Sequence, residues 1–570
     1  MQVDLLIRDV QVYNSYFKQF VPGNAAILDG RFYYIGQRGT ETFEAGEIIE
    51  GKGRYMIPGL IDIHLHIEST MVTPQTFSYG LIRNGVTTIV PEPHEMANVF
   101  GLSGIKEMIR ASQDCVVDMF YAIPSSVPAT GMETTGGAID LEEIDELLAS
   151  ERIICLGEIM NYVDVITDPD CKTNRILRHI RQQYPELIIE GHCPKLLDLE
   201  LQQFIYAGVD SDHTHQTVEG MKQRIAAGMF IEIQEKSMTD EVMQFLREHD
   251  VSEHFCFVTD DVMTDSLYRR GHLNYLVAKA IGMGMSPERA IYAATFAPAR
   301  RMRLYDRGAI APNKIADFLL LSDLENLSIE RVYKAGRLVY EQTAVDEQIV
   351  ERGTFPAHFY QSVQLPLLAE ADFTVKSEGD DQPYQARVMM VKDGSTFTSE
   401  AWTEVMVQDG EVRWQESPYA LIATFERYGK NGNRAYGLIG GDILKRGAIA
   451  TTYSHDNHNL LVIGYNPQDM ALAANQVISQ QGGFCAVENG KVLANLRLPV
   501  GGILTEEPLA ETAKDVEALR QAMEDLGYRH YNPIMSVSTL SLPVSPALKI
   551  TDLGLIDVNQ GKVVPFLTRA

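Results

Sequence analysis

Eight short apolar runs, each closing on or just before a polar residue, constrain this chain more than any other feature of it. They cover residues 59–66, 86–91, 117–123, 153–158, 187–192, 208–213, 229–234 and 255–260. Segments with helical spacing stand between them, such as DLEEIDELLAS and TDEVMQFLREH. Strands that alternate with helices pair in parallel, and eight such units close into a barrel. The expected fold class is α/β, with a (β/α)8 TIM-type barrel over residues 58–310.

The flanks read differently. VDLLIRDVQVYN and AAILDGRFYYIG alternate as strands do, and Asp29-Gly30 between apolar runs marks a hairpin. The alternation returns in ADFLLLSDL and VYKAGRLVYE. Residues 1–57 and 311–345 are therefore expected to build one small composite β domain into which the barrel is inserted. Residues 346–570 mix strand signals (ATTYSH, NLLVIGY) with a helical segment (DVEALRQAMEDLG) and predict a separate C-terminal α+β domain. A chain of 570 residues exceeds one ordinary core, which agrees with several domains.

Composition removes some functions. A net charge of −28 opposes a phosphate backbone, so a nucleic-acid partner is not expected, although a single nucleobase is not excluded. No apolar run is long enough to span a membrane. The opening MQVDLLIRDVQVYNS lacks a basic segment followed by an apolar one. The six cysteines are scattered without a CxxC pair, which predicts a reduced, cytoplasmic protein.

The chemistry is expected at the carboxyl ends of the eight strands, where barrel enzymes place their sites. His64 and His66 stand two apart, and period-two geometry turns both imidazoles to one face. Two such rings can share a divalent ion. His192 and His213 end later strands and can supply a second ion. Glu158, on the strand between, can bridge two cations that would otherwise repel at about 3.5–4 Å. Its plainer alternative is a buried acid paired with a base. Asp260 ends the last strand and is the candidate ligand and proton acceptor, with a helix N-cap as the alternative. His and carboxylate donors accept Zn, Mn or Fe.

The residues in this order resemble the amidohydrolase superfamily, and longer stretches narrow the resemblance. HIESTMVTP (66–74), EPHEMANVFG (92–101), LGEIMNY (156–162), GHCP (191–194), SDH (211–213) and VTDD (258–261) resemble the adenine deaminase family. So do GAIAP (308–312), GDILKRGAIATTYSHDNHN (441–459), LPVGG (498–502) and LKITDLGLIDV (548–558), so that the likeness covers essentially the whole chain.

The resemblance implies two divalent ions, manganese foremost with ferrous iron or zinc as alternatives, and hydrolysis of adenine to hypoxanthine and ammonia. It implies a metal set of His64, His66, Glu158, His192, His213 and Asp260. Asp260 would move the proton, and His94 and Glu235 would contact the purine base. A homo-oligomer is compatible with it. Four places depart from the family pattern: Thr214 after His213, Lys236, Val262, and Tyr428-Gly429. The SHDNHN segment carrying His455, Asp456 and His458 is expected to cap or pack within the C-terminal domain, with closure of the active site or the holding of another ion as the alternatives. Another amidohydrolase, acting on a different heterocyclic amine or a cyclic amide, is the alternative. The lysine that would favour a cyclic-amide enzyme is absent at the fourth strand, where Glu158 stands. A non-catalytic relative would have lost metal ligands, and none is lost.

Overall fold

A computed structural model of the chain describes residues 1–37, 40–344 and 348–569. The expected boundary between 345 and 346 lies outside the described residues.

All eight predicted runs carry strand, and they pair in parallel in sequence order. Leu60–Leu65 pairs with Val86–Pro91, which pairs with Asp118–Met119. Tyr121–Ile123, Ile153–Ile159 and Ile188–Gly191 form a second group. Ser211–Asp212, Phe230–Ile233 and Phe255–Phe257 form a third. Single hydrogen bonds join the groups: Phe120 N–H donates to Ile89 O at 3.0 Å, and Asp210 N–H to Ile189 O at 3.5 Å. Asp260 N–H donates to His64 O at 3.1 Å, which links the end of the last run to the first.

Two runs differ from expectation. The 117–123 run is broken at Phe120, because Phe120 bonds back to Ile89 while Tyr121 N–H turns to Arg152 O at 2.7 Å. The 208–213 run shortens to Ser211–Asp212, its first residues being drawn into the turn that ends helix Asp198–Tyr206. DLEEIDELLAS and TDEVMQFLREH form helices Leu141–Leu147 and Asp240–Glu248. A capping box at Asp140 and Glu143 starts the first of these.

Strands from both flanks lie in one seven-stranded sheet, in the order Arg337–Glu341, Ile329–Lys334, Phe318–Leu321, Glu44–Pro58, Gln2–Asn14, Gln19–Leu28, Arg31–Gly36. The predicted hairpin forms at Asp29-Gly30, where both residues have positive φ (50° and 73°), as a primed turn requires. In the C-terminal part, strands between Pro383–Val391 and Lys491–Arg497 form a mixed sheet, with helix Pro467–Ser479 packed on it. Helix Leu509–Asp525 packs both on the edge of that sheet, at Lys491–Arg497, and on Thr264–Arg269, between the C-terminal and N-terminal parts of the chain. The largest apolar core is continuous, running from Leu60 and Met71 to Leu504 and Ile550. That continuity holds C-terminal segments against the strand ends. No helix among the described residues is long and apolar enough to cross a membrane.

Candidate active site

The first strand sets the site. Leu60–Leu65 is buried throughout, so the polar residues it carries must be satisfied from within. Asp62 is one of them. Its carboxylate accepts from His64 N–H at 3.3 Å, and from Thr259 N–H at 3.1 Å and Thr259 Oγ1 at 2.7 Å. It thereby fastens the first strand to the segment carrying Asp260. His64 and His66 follow on the same face, their ring centroids 5.3 Å apart.

The other predicted ligands converge on them. Glu158 is central: Oε2 lies 2.7 Å from His192 Nδ1 and 3.2 Å from His213 Nε2, and Oε1 lies 3.6 Å from His66 Nε2. Asp260 Oδ1 stands 3.6 Å from His66 Nε2 and 3.9 Å from His64 Nε2. The rings of His64 and His213 stack at 3.7 Å. Asp260 adopts φ 59°, a left-handed backbone that a non-glycine residue holds only when its surroundings impose it. The structure thus brings all six predicted ligands into one cluster, five of them buried and His192 part-exposed.

The donor set fits a pair of divalent ions. Donor atoms of His64, His66 and Glu158 lie within 4.8 Å of one another, and so do those of Glu158, His192 and His213, with Glu158 common to both groups. His64 Nε2 is buried without a hydrogen-bond partner. Burial and then the neighbouring His213 hold the His64 imidazole well below its usual range, so it is neutral and keeps a free lone pair. Burial opposes ionisation of Glu158, but His213 and the hydrogen bond from His192 outweigh it and hold the carboxyl well below the usual range.

His94 and Glu235 line the same cavity, of about 940 Å³, but each has other partners. The His94 ring lies 4.6 Å from that of His66, and its Nε2 is 3.4 Å from Glu95 Oε1 and 3.8 Å from Asp456 Oδ1. Glu235 accepts from Arg270 Nη2 at 2.7 and 2.8 Å, Lys279 Nζ at 3.0 Å and Tyr275 OH at 3.1 Å. Of the departures, Thr214 donates its hydroxyl back to Asp212 at 3.0 Å. Lys236 Nζ lies 4.0 Å from Asp260 Oδ2, and Val262 lines the cavity. Tyr428 OH donates to Asn457 O at 2.6 Å.

The SHDNHN segment corrects its expectation. It does not pack only within the C-terminal part: His455 and His458 both contact Glu95, and His455 and Asp456 line the cavity. Glu95 was not singled out from the sequence. The one available signal was an acid beside His94 in EPHE together with a second histidine-rich motif far downstream.

Paired imidazoles on a first strand, answered by a carboxylate and further imidazoles on later strands, are the donor arrangement of metal-dependent amidohydrolases. The profile of the Amidohydrolase family matches residues 55–339. The Adenine deaminase C-terminal domain profile matches residues 395–562. The chain is 63% identical over 567 residues to Adenine deaminase 2 of Shouchella clausii (strain KSM-K16), covering 99% of each chain. It is 48% identical over 569 residues to Adenine deaminase of Clostridium perfringens (strain ATCC 13124), again covering 99% of each. The chain belongs to the adenine deaminase family.

Proposed function

We propose that this protein hydrolyses adenine to hypoxanthine and ammonia, and that His64, His66, Glu158, His192, His213 and Asp260 hold two divalent ions for that reaction. The observation that carries the reading is the complete donor cluster, set in a chain 63% identical to an adenine deaminase over its whole length. Manganese is the proposed ion, with ferrous iron or zinc as alternatives for the same donors. When bound, two such ions would lower the pKa of water so that hydroxide could form near neutral pH.

The chain's own residues do the rest. Asp260 accepts the proton of the attacking water and delivers it to the departing amine. Glu158 stays ionised between the two groups of imidazoles. His94 and Glu235 stand on the cavity wall as candidate contacts to the purine ring. Glu235 can reach the ring only by giving up part of its hold on Arg270, Lys279 and Tyr275. Water supplies the oxygen at the ring carbon, and ammonia leaves with the proton that Asp260 returns.

The proposed frame is a closed (β/α)8 barrel over 58–310, a composite β domain from 1–57 and 311–345, and a C-terminal domain over 346–570. The Asp260–His64 hydrogen bond supports closure, and the seven-stranded sheet drawn from both flanks supports the composite domain. A small-molecule purine base as substrate, a cytoplasmic setting, no nucleic-acid or membrane partner, and a homo-oligomer complete the proposal.

The test is ammonia release and hypoxanthine formation from adenine by protein loaded with manganese, and separately with ferrous iron. Turnover with either ion supports the reading. Folded, metal-loaded protein that leaves adenine intact overturns it and directs attention to other heterocyclic amines, through Thr214, Lys236 and Val262.

A further inference from the structure

We propose that His94, Glu95, His455 and Asp456 form a third divalent-cation site, where the segment after the second strand meets the SHDNHN segment. One donor atom from each of the four lies within 4.8 Å of the others, and all four residues are buried. The site shares no donor with the cluster around Glu158. It adjoins that cluster through the rings of His66 and His94.

The local contacts point to a cation at the centre. His94 Nε2 lies 3.4 Å from Glu95 Oε1, and His455 Nδ1 closes on the same oxygen, yet Glu95 Oε1 accepts no hydrogen bond. His94 Nε2 and His455 Nδ1 also approach Asp456 Oδ1, at 3.8 and 3.7 Å. Asp456 Oδ2 is buried without a partner. Two ring nitrogens and two carboxylates thus face one another without the geometry of ordinary hydrogen bonds.

Charge points the same way. Every ion pair that Glu95 and Asp456 make among the described residues is to an imidazole. Glu68 and Glu133 are also buried close by, and each raises the energy of a charged neighbour: Glu68 repels Glu95, and Glu133 repels Asp456. Buried carboxylates cost several kcal/mol each unless a cation or hydrogen bonds compensate them. His458 supplies an outer support, with Nε2 on the second Glu95 oxygen and Nδ1 3.3 Å from Thr452 O. Mixed imidazole and carboxylate donors suit manganese, iron or zinc rather than calcium or magnesium.

A cation here clamps the C-terminal segment to the wall of the catalytic cavity. It also commits His94 Nε2, so that His94 shapes the substrate's side of the cavity rather than lending it a proton.

The probe is manganese. Full-length protein produced with manganese and without iron is crystallised, and an anomalous difference map is recorded at the manganese edge. Three peaks per chain are expected, one bounded by His94, Glu95, His455 and Asp456. In solution, elemental analysis should give three ions per chain, falling by one in His455→Ala and Asp456→Asn. A map with no peak between these four residues overturns the site, whether or not the variants fold. So does a wild-type content of two that the variants leave unchanged. Protein that deaminates adenine with two ions per chain would remove this site and leave the proposed function standing.

Discussion

The carboxyl group of Glu92 accepts a hydrogen bond of 2.6 Å from the backbone N–H of Glu158, so a buried acid just past the second strand holds the central donor of the proposed metal cluster in place. Burial, and then the charge of Glu158, push the Glu92 carboxyl well above its usual range. Gly157 makes the approach possible, because a Cβ there would lie 2.1 Å from Glu92 Oε2. Gly157→Ala should displace Glu92 and turn Glu158 away from His192 and His213. Outer supports of metal ligands are worth about 10–100-fold in metal affinity or activity. A drop of that size in kcat/KM, with ion loss by elemental analysis, is expected. Wild-type ion content and turnover would show that Glu158 does not depend on this contact.

Asp260 is expected to matter for proton transfer more than for folding. Asp260→Asn keeps the size of the side chain but cannot take up a proton from water. Loss of a general base costs about 10²–10⁴-fold. Ammonia release should fall by at least that factor while far-UV circular dichroism stays unchanged. Retention of more than a tenth of the activity would assign the proton to another group.

Removal of metal should be visible in stability as well as turnover. Six donors facing one another at the strand ends would gain the proposed ions only in the folded state. Dialysis against a chelator should lower Tm and abolish deamination, and manganese should restore both. Ligand at 100 times its Kd stabilises by about 2.7 kcal/mol, so Tm should rise with free manganese. A Tm indifferent to the ion would count against the cluster as a metal site.

The Glu235 cluster offers a division between binding and chemistry. Arg270→Ala removes a bidentate partner and leaves Glu235 with Lys279 and Tyr275. The Arg270 and Glu235 side chains are 45% and 39% exposed, so the stability cost should stay within about 1 kcal/mol. A rise in KM for adenine with kcat little changed is expected from steady-state kinetics. A fall in kcat alone would place Glu235 in the chemical step.

Lys549 gives a pH-dependent effect on stability. It is fully buried, and burial pushes its ammonium down from 10.5 to about 7. Its Nζ donates to Thr396 O at 2.9 Å. Between these values the unfolded chain binds the proton more tightly, so stability rises with pH through that window and the penalty is full below pH 7. Lys549→Met should remove a penalty of a few kcal/mol at pH 7, less about 1 kcal/mol for the orphaned carbonyl. Thermal melts should show a gain at pH 7 that shrinks towards pH 10. An equal gain at both pH values would exclude a buried charge as the cause.

Much of the segment of alternating strands and helices was legible because its signals are local. The period of two that turns His64 and His66 to one face needs only neighbouring residues. The change from strand spacing to helix spacing, which placed Glu158, His192, His213 and Asp260 at strand ends, spans a dozen residues at a time. The Asp29-Gly30 hairpin is a matter of two dihedral preferences. The break at Phe120 was not legible, since it depends on which neighbouring strand each amide meets.

The sequence by itself therefore determined the strand order, the six convergent donors and the family. Only the tertiary structure decided what the remaining groups do. Glu95 and His455 are 360 positions apart, and no spacing rule relates them; they meet because one continuous core presses the C-terminal part onto the strand ends. Glu235 looked free to bind a base until Arg270, Tyr275 and Lys279 were found around it. Local periodicity fixes which way a side chain points, whereas its partner is chosen by the packing of distant segments.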